Sequence, residues 1–110
     1  MQTIFAKALV LATLTVALIA LSGQNAMAQD GKALFVKFGC MACHGQDGKV
    51  PVLPNYPRLA GQNSDYMAQQ LRDFKTQKRT NNLAPLMFGM TNPLSEADIK
   101  AISDYLAAVN

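Results

Sequence analysis

From residue 30 onwards, apolar positions fall into three short helical periods separated by two broken stretches. Leu34 and Phe38 lie four apart, and Phe35 widens their stripe, which predicts a helix over Asp30 to Phe38. Asp30 stands at its start, where the helix dipole favours an acid. Gly39 just beyond marks a bend or a close approach of another element. Met67, Leu71 and Phe74 repeat at i, i+4, i+7 and predict a second helix, capped by Asn63 or Ser64 and running to about Arg79. Ile99, Ile102, Leu106 and Val109 form the inward stripe of a last helix. Ser95 caps it, with Glu96 and Asp98 in the first turn. Tyr105 flanks that stripe, placed to pack on the first helix near Gly39.

Between these helices no period survives. Gly45 to Gln62 is broken by Gly45, Gly48, Pro51, Pro54, Pro57 and Gly61 and reads as loop. A structureless stretch that long in a small domain is usually functional. Thr80 to Pro93 reads as a second irregular stretch, with Asn81, Asn82, Pro85, Gly89 and Pro93 as breakers, and it carries Met87 and Met90. No run alternates with period two, so the expected class is all-α, with three or four short helices and long loops.

The first 28 residues follow a different rule. Lys7 is their only charge, Ala8 to Leu21 is apolar, and Ala26-Met27-Ala28 is a small-x-small cleavage site. This is the pattern of a secretory signal peptide, 1–28, cleaved after Ala28. The apolar run falls short of the ~20 residues a spanning helix needs, so no stable membrane span is expected after cleavage. Residues 29–110 are then expected to form one small domain directed to the periplasm.

Charge adds a restriction. Of 10 basic and 7 acidic side chains, only Lys7 lies in the leader. The remaining domain is nearly balanced, which argues against nucleic acid as a partner. Arg72, Lys75 and Arg79 fall at helical spacing and read as a solvated stripe or as a docking face for an acidic redox partner.

The chemistry is concentrated at Cys40-Met41-Ala42-Cys43-His44. C-x-x-C-H is the attachment signature of c-type haem. Two thiols three apart on one helical turn can each form a thioether to a haem vinyl group, and the adjacent imidazole then lies beneath the porphyrin. These are the only cysteines and the only histidine of the chain. A disulfide between them would close a loop too small to stabilise much. A thioredoxin-like pair requires a βαβ setting that is missing. Zinc requires four ligands. The expected cofactor is therefore one haem c, covalent through Cys40 and Cys43, with His44 on the iron. A ligating histidine donates its other ring N–H to a carbonyl or carboxylate, and the Gly45–Gln62 loop is the place to find one. For a sixth ligand, Met41 lies on the wrong side of the haem and Met67 belongs to a core stripe. Met87 and Met90 remain, and composition leaves both open.

Taken together, the C-x-x-C-H motif, the methionine segment and the terminal Leu94-Ser95-Glu96-Ala97-Asp98-Ile99…Tyr105-Leu106 helix resemble class I c-type cytochromes. Pro54-Asn55-Tyr56-Pro57-Arg58-Leu59-Ala60-Gly61-Gln62 is especially similar to one domain of the cytochrome c-four group, although that group carries two such domains and this chain has one. The resemblance implies a small cytochrome c fold wrapped around one haem. It implies that the Pro54 carbonyl holds His44, and that Tyr105 belongs to the packing of the first helix on the last. In such domains the iron-ligating methionine lies eight residues before the serine capping the last helix, which implies Met87.

His/Met ligation raises the potential of haem iron and leaves no open site for substrate. There is no second histidine for acid–base work and no nucleophile beside a base. The expected function is one-electron transfer in the periplasm between redox partner proteins, with no catalytic residue. Two alternatives are a haem subunit of a larger periplasmic oxidoreductase, and a haem sensor or peroxidase with a labile sixth ligand. The thin core of so small a domain further predicts that the haem completes it.

Overall fold

A computed structural model describes residues 30–110. The signal peptide expected over 1–28 lies outside the described residues. Among the described residues, five α-helices, Gly31–Lys37 (α1), Met41–His44 (α2), Ser64–Lys75 (α3), Ala84–Thr91 (α4) and Glu96–Ala107 (α5), succeed one another, with a 3-10 turn over Gln46–Gly48 after α2. There is no strand among the described residues, and no helix there is long and apolar enough to cross a membrane. The fold is all-α.

Three helices begin where the cap residues dictate. The Asp30 carboxylate accepts from the Ala33 N–H at 3.2 Å, and the Asn63 side chain accepts from Tyr66 N–H at 2.9 Å. Ser95 and Asp98 form a reciprocal capping box, at 3.1 and 2.9 Å, with Asp replacing the usual Glu. Each such cap satisfies N–H groups that the first turn leaves orphaned and contributes about 1 kcal/mol.

The core is organised on α5. Ile99, Ile102 and Leu106 are buried against Phe35 of α1, Met67 and Ala68 of α3, and Leu94. Each large apolar side chain so removed from water contributes roughly 1.5–3 kcal/mol. α1 crosses α5 at Gly31, where a Cβ would meet the Ala101 carbonyl oxygen at 2.1 Å. The close approach is therefore at Gly31 rather than Gly39, whose φ of 75° serves the bend into α2 instead. Tyr105 packs on Phe35 of α1, with ring centroids 6.0 Å apart.

Two boundaries differ from the sequence reading. α3 stops at Lys75, short of Arg79, because Gln77 enters the left-handed region at φ 58° and the Lys78 and Arg79 N–H groups both turn back to the Asp73 carbonyl. The expected stripe of Arg72, Lys75 and Arg79 is consequently not one face. Arg72 pairs with Glu96 at 2.9 Å, Lys75 donates to the Leu94 carbonyl, and Arg79 folds over the Phe74 ring. The second difference is α4, which occupies most of the stretch expected to be irregular. Pro85 lies in its first turn, where a missing N–H costs nothing. A Cβ at Gly89 would meet nothing within 4 Å, so this glycine costs only its propensity. Thr91 is buried, and its hydroxyl donates to the Met87 carbonyl at 2.8 Å, closing the last turn.

Candidate functional site

The short helix α2 delivers the haem-attachment motif. Phe35 O accepts from Cys40 N–H at the bend, and Cys40 O accepts from His44 N–H at 3.0 Å. Cys40 is partly buried and Cys43 exposed, and neither is in a disulfide. Burial pushes the Cys40 thiol above its ordinary range, with a smaller opposing contribution from its backbone hydrogen bond. His44 is buried at 6% exposure.

The imidazole is held from one side. Its Nδ1 lies 2.9 Å from the Pro57 carbonyl oxygen. A carbonyl only accepts, so Nδ1 carries the proton and Nε2 presents its lone pair. This corrects the expectation for Pro54. The Tyr56 N–H closes a turn onto Leu53 O, which takes Pro54 into the turn, and the ring's partner is the carbonyl beyond it. The chain returns at Pro57 because Gly48 O accepts from both Leu59 and Ala60 N–H, at 2.9 and 3.0 Å. Gly61 N–H then donates to Leu106 O, tying the loop to α5. Two prolines three apart were indistinguishable by composition. Only the turn between them decides which carbonyl faces the histidine.

Cys40, Cys43, His44, Pro57, Met87 and Met90 all line one cavity of about 840 Å³, whereas Pro54 does not. That volume is in the upper part of the roughly 300–1,000 Å³ range of small-molecule and cofactor sites. Its walls are mostly apolar, with Phe35, Leu71, Phe74, Ile102 and Leu106 among them. No aspartate or glutamate contributes to the lining, while Arg58 and Arg79 do. The two methionines project from one face of α4, three residues apart. They are not equivalent. The Met90 methyl lies 3.4 Å from where a Gly39 Cβ would stand, at the bend before Cys40. Met87 is the more buried of the two.

Two thiols, one imidazole with a free Nε2, a thioether and a large apolar cavity bordered by cations make a donor set that fits a haem carrying two carboxylates. Sequence reasoning missed Pro57 and the inward turn of Arg79. The only signal for either was its membership in a loop or a charge stripe.

The chain matches the Cytochrome c family over residues 28–110. It is 44% identical over 69 residues to cytochrome c4 of Pseudomonas aeruginosa, covering 63% of this chain and 32% of that protein. It is also 44% identical over 66 residues to a thiosulfate dehydrogenase electron acceptor of Thiomonas intermedia, covering 60% of this chain and 29% of that one. Among solved structures, reduced recombinant cytochrome c4 from Pseudomonas stutzeri superposes with a TM-score of 0.64 at 34% identity, over 76% of this chain and 48% of the other. The chain thus spans half or less of the length of these relatives. With the C-x-x-C-H turn, the cavity above it and this match over the whole described domain, the chain belongs to the cytochrome c family, whose cofactor is a covalently bound haem c.

Proposed function

We propose that the protein is a one-electron carrier of the periplasm whose haem is joined to Cys40 and Cys43 and ligated by His44 and Met87. The observation that carries this reading is the convergence of those four side chains on one apolar cavity, with Pro57 holding the imidazole so that Nε2 is free. Bound haem supplies the Fe(III)/Fe(II) couple.

The chain's own residues do the rest. Cys40 and Cys43 fix the orientation of the haem edge. Pro57 sets the tautomer of His44 and makes it a more basic ligand. Met87, a soft thioether, favours the reduced state and closes the position at which a substrate would bind. Phe35, Leu71 and Phe74 line the cavity with apolar surface and would keep water from a bound haem. A haem joined to Cys43 would be open to a redox partner on the side where that residue is exposed.

A purified, exported protein tests the reading. Haem should stay with the polypeptide through acidic acetone, the reduced and oxidised spectra should be six-coordinate, and a titration should follow a reversible one-electron curve. Haem that extracts freely, or a five-coordinate spectrum, would overturn it. The relative named as an electron acceptor of thiosulfate dehydrogenase favours one second reading, in which the same domain serves a larger oxidoreductase. Co-purification with a partner enzyme distinguishes the two.

A further inference from the structure

Helix α4 lacks what usually fixes the rotation of a helix. Its residues are apolar nearly all round, so no polar face opposes an apolar one. Met87 and Met90 both line the cavity. Three positions in sequence put them about 60° apart around the helix axis. The start of α4 has no side-chain cap, and a helix of two turns is too short to be stable alone. Thr91 anchors it. This residue is 1% exposed, and Ala84 on the same side is buried with it. The Thr91 carbonyl accepts from Leu94 N–H at 3.0 Å. Leu94 belongs to the core, and its own carbonyl accepts from Lys75 of α3. The Thr91 hydroxyl lies 2.8 Å from Met87 O and 3.3 Å from Phe88 O, so it clasps the turn that carries Met87.

A hydroxyl is costly to bury unless it is bonded, and this one is bonded to the methionine's own backbone. We infer that Thr91 is a positioning residue for the axial thioether: anchored in the core, it clasps the Met87 carbonyl and so holds Met87, rather than Met90, in place for the iron. The inference rests on the proposed His44 and Met87 ligation and deepens it. Thr91 does not line the cavity, so it acts only through Met87. Without the clasp the last turn of α4 loosens, the thioether is off the iron more often, and an added ligand gains entry.

The test is the binding of imidazole to the oxidised, haem-loaded protein, followed by loss of the charge-transfer band. Imidazole enters only when the methionine is off, so its apparent affinity reads the fraction of such molecules. Thr91→Val keeps the shape and removes the hydroxyl. It should tighten imidazole binding about fivefold, the shift expected from losing one hydrogen bond of ordinary net strength. Thr91→Ala should do the same, and serves if the valine variant loads haem poorly. Thr91→Ser keeps the hydroxyl and should stay within about twofold of the wild type. Asn63→Ala removes the cap of α3, costs similar stability without touching α4, and should also stay within about twofold. Unchanged imidazole binding in Thr91→Val and Thr91→Ala, or an equal tightening in Asn63→Ala, would overturn the role of Thr91. A charge-transfer band that survives Met87→Ala would overturn the ligand assignment beneath it.

Discussion

The hydroxyl of Tyr105, on the last helix, donates to the carboxylate of Asp47, which stands in the 3-10 turn three residues after His44. The bond ties the exit of the haem motif to the core. Asp47 holds φ at 57° and also has Lys32 of α1 at 3.8 Å. Burial, then the Asp47 hydrogen bond and charge, push the Tyr105 phenol up to about 12 from 10.0. The raised folded value fixes the sign. This stabilisation is fully present below about pH 10 and is lost as pH rises towards 12. Tyr105→Phe should cost about 1 kcal/mol, less than the roughly 1.5–3 of a bond to a charged group, because Asp47 keeps Lys32 and some water. That is ~4–8 °C in melting temperature for a domain of this size. The alkaline loss of stability between pH 10 and 12 should shrink in the variant, which melts followed by circular dichroism across that range will check.

The Pro57 carbonyl and the His44 ring predict a difference between two prolines. A carbonyl that holds Nδ1–H makes the imidazole a stronger donor and favours the oxidised iron. Pro57→Ala loosens the turn at that carbonyl and should raise the reduction potential. Pro54→Ala, in the turn before it, should leave it where it is. Spectroelectrochemical titration of the two variants separates them, and a larger effect at Pro54 would return the acceptor to that residue.

Met87 and Met90 share a face of α4 but have different surroundings. Met87→Ala should remove the weak charge-transfer band at the red end of the oxidised spectrum, lower the potential and admit carbon monoxide. Met90→Ala should retain all three properties and lose only packing against the Gly39 bend. The reverse pattern would transfer the ligand role to Met90.

The 840 Å³ cavity predicts how the chain behaves without its cofactor. Its apolar lining, Phe35, Leu71, Phe74, Ile102 and Leu106 among it, would face water without the haem, and a domain this small has little other core to offset that. Protein made haem-free by Cys40→Ala with Cys43→Ala should therefore lose most of its far-UV helical signal and its cooperative melt. Native helix content in that variant would show that the polypeptide core suffices.

The sequence alone determined the class and the cofactor, placed Asp30 and Ser95 at helix starts and narrowed the middle cap to Asn63 or Ser64. Asp30, Asn63 and Ser95 start helices because their side chains reach N–H groups only a few residues away. C-x-x-C-H is equally local, since one turn of helix sets the thiol spacing. The stripes of Met67 and Phe74, and of Ile99, Ile102 and Leu106, are buried as their periods predict. The tertiary structure decided the positions where local signals were equal or misleading. Pro85 and Gly89 read as breakers, yet α4 forms because its proline is in the first turn and its apolar residues have both α3 and the cavity to face. Pro54 and Pro57 carry the same carbonyl, and only the turn at Leu53–Tyr56 and the anchorage on Gly48 O point one of them at His44. Arg79 read as part of a solvated stripe. The left-handed Gln77, a conformation no local pattern announced, ends the helix early and turns that charge into the cavity wall. Spacing along a chain encodes contacts within a turn or two. Which groups from distant segments meet around a cofactor is set by how the helices pack.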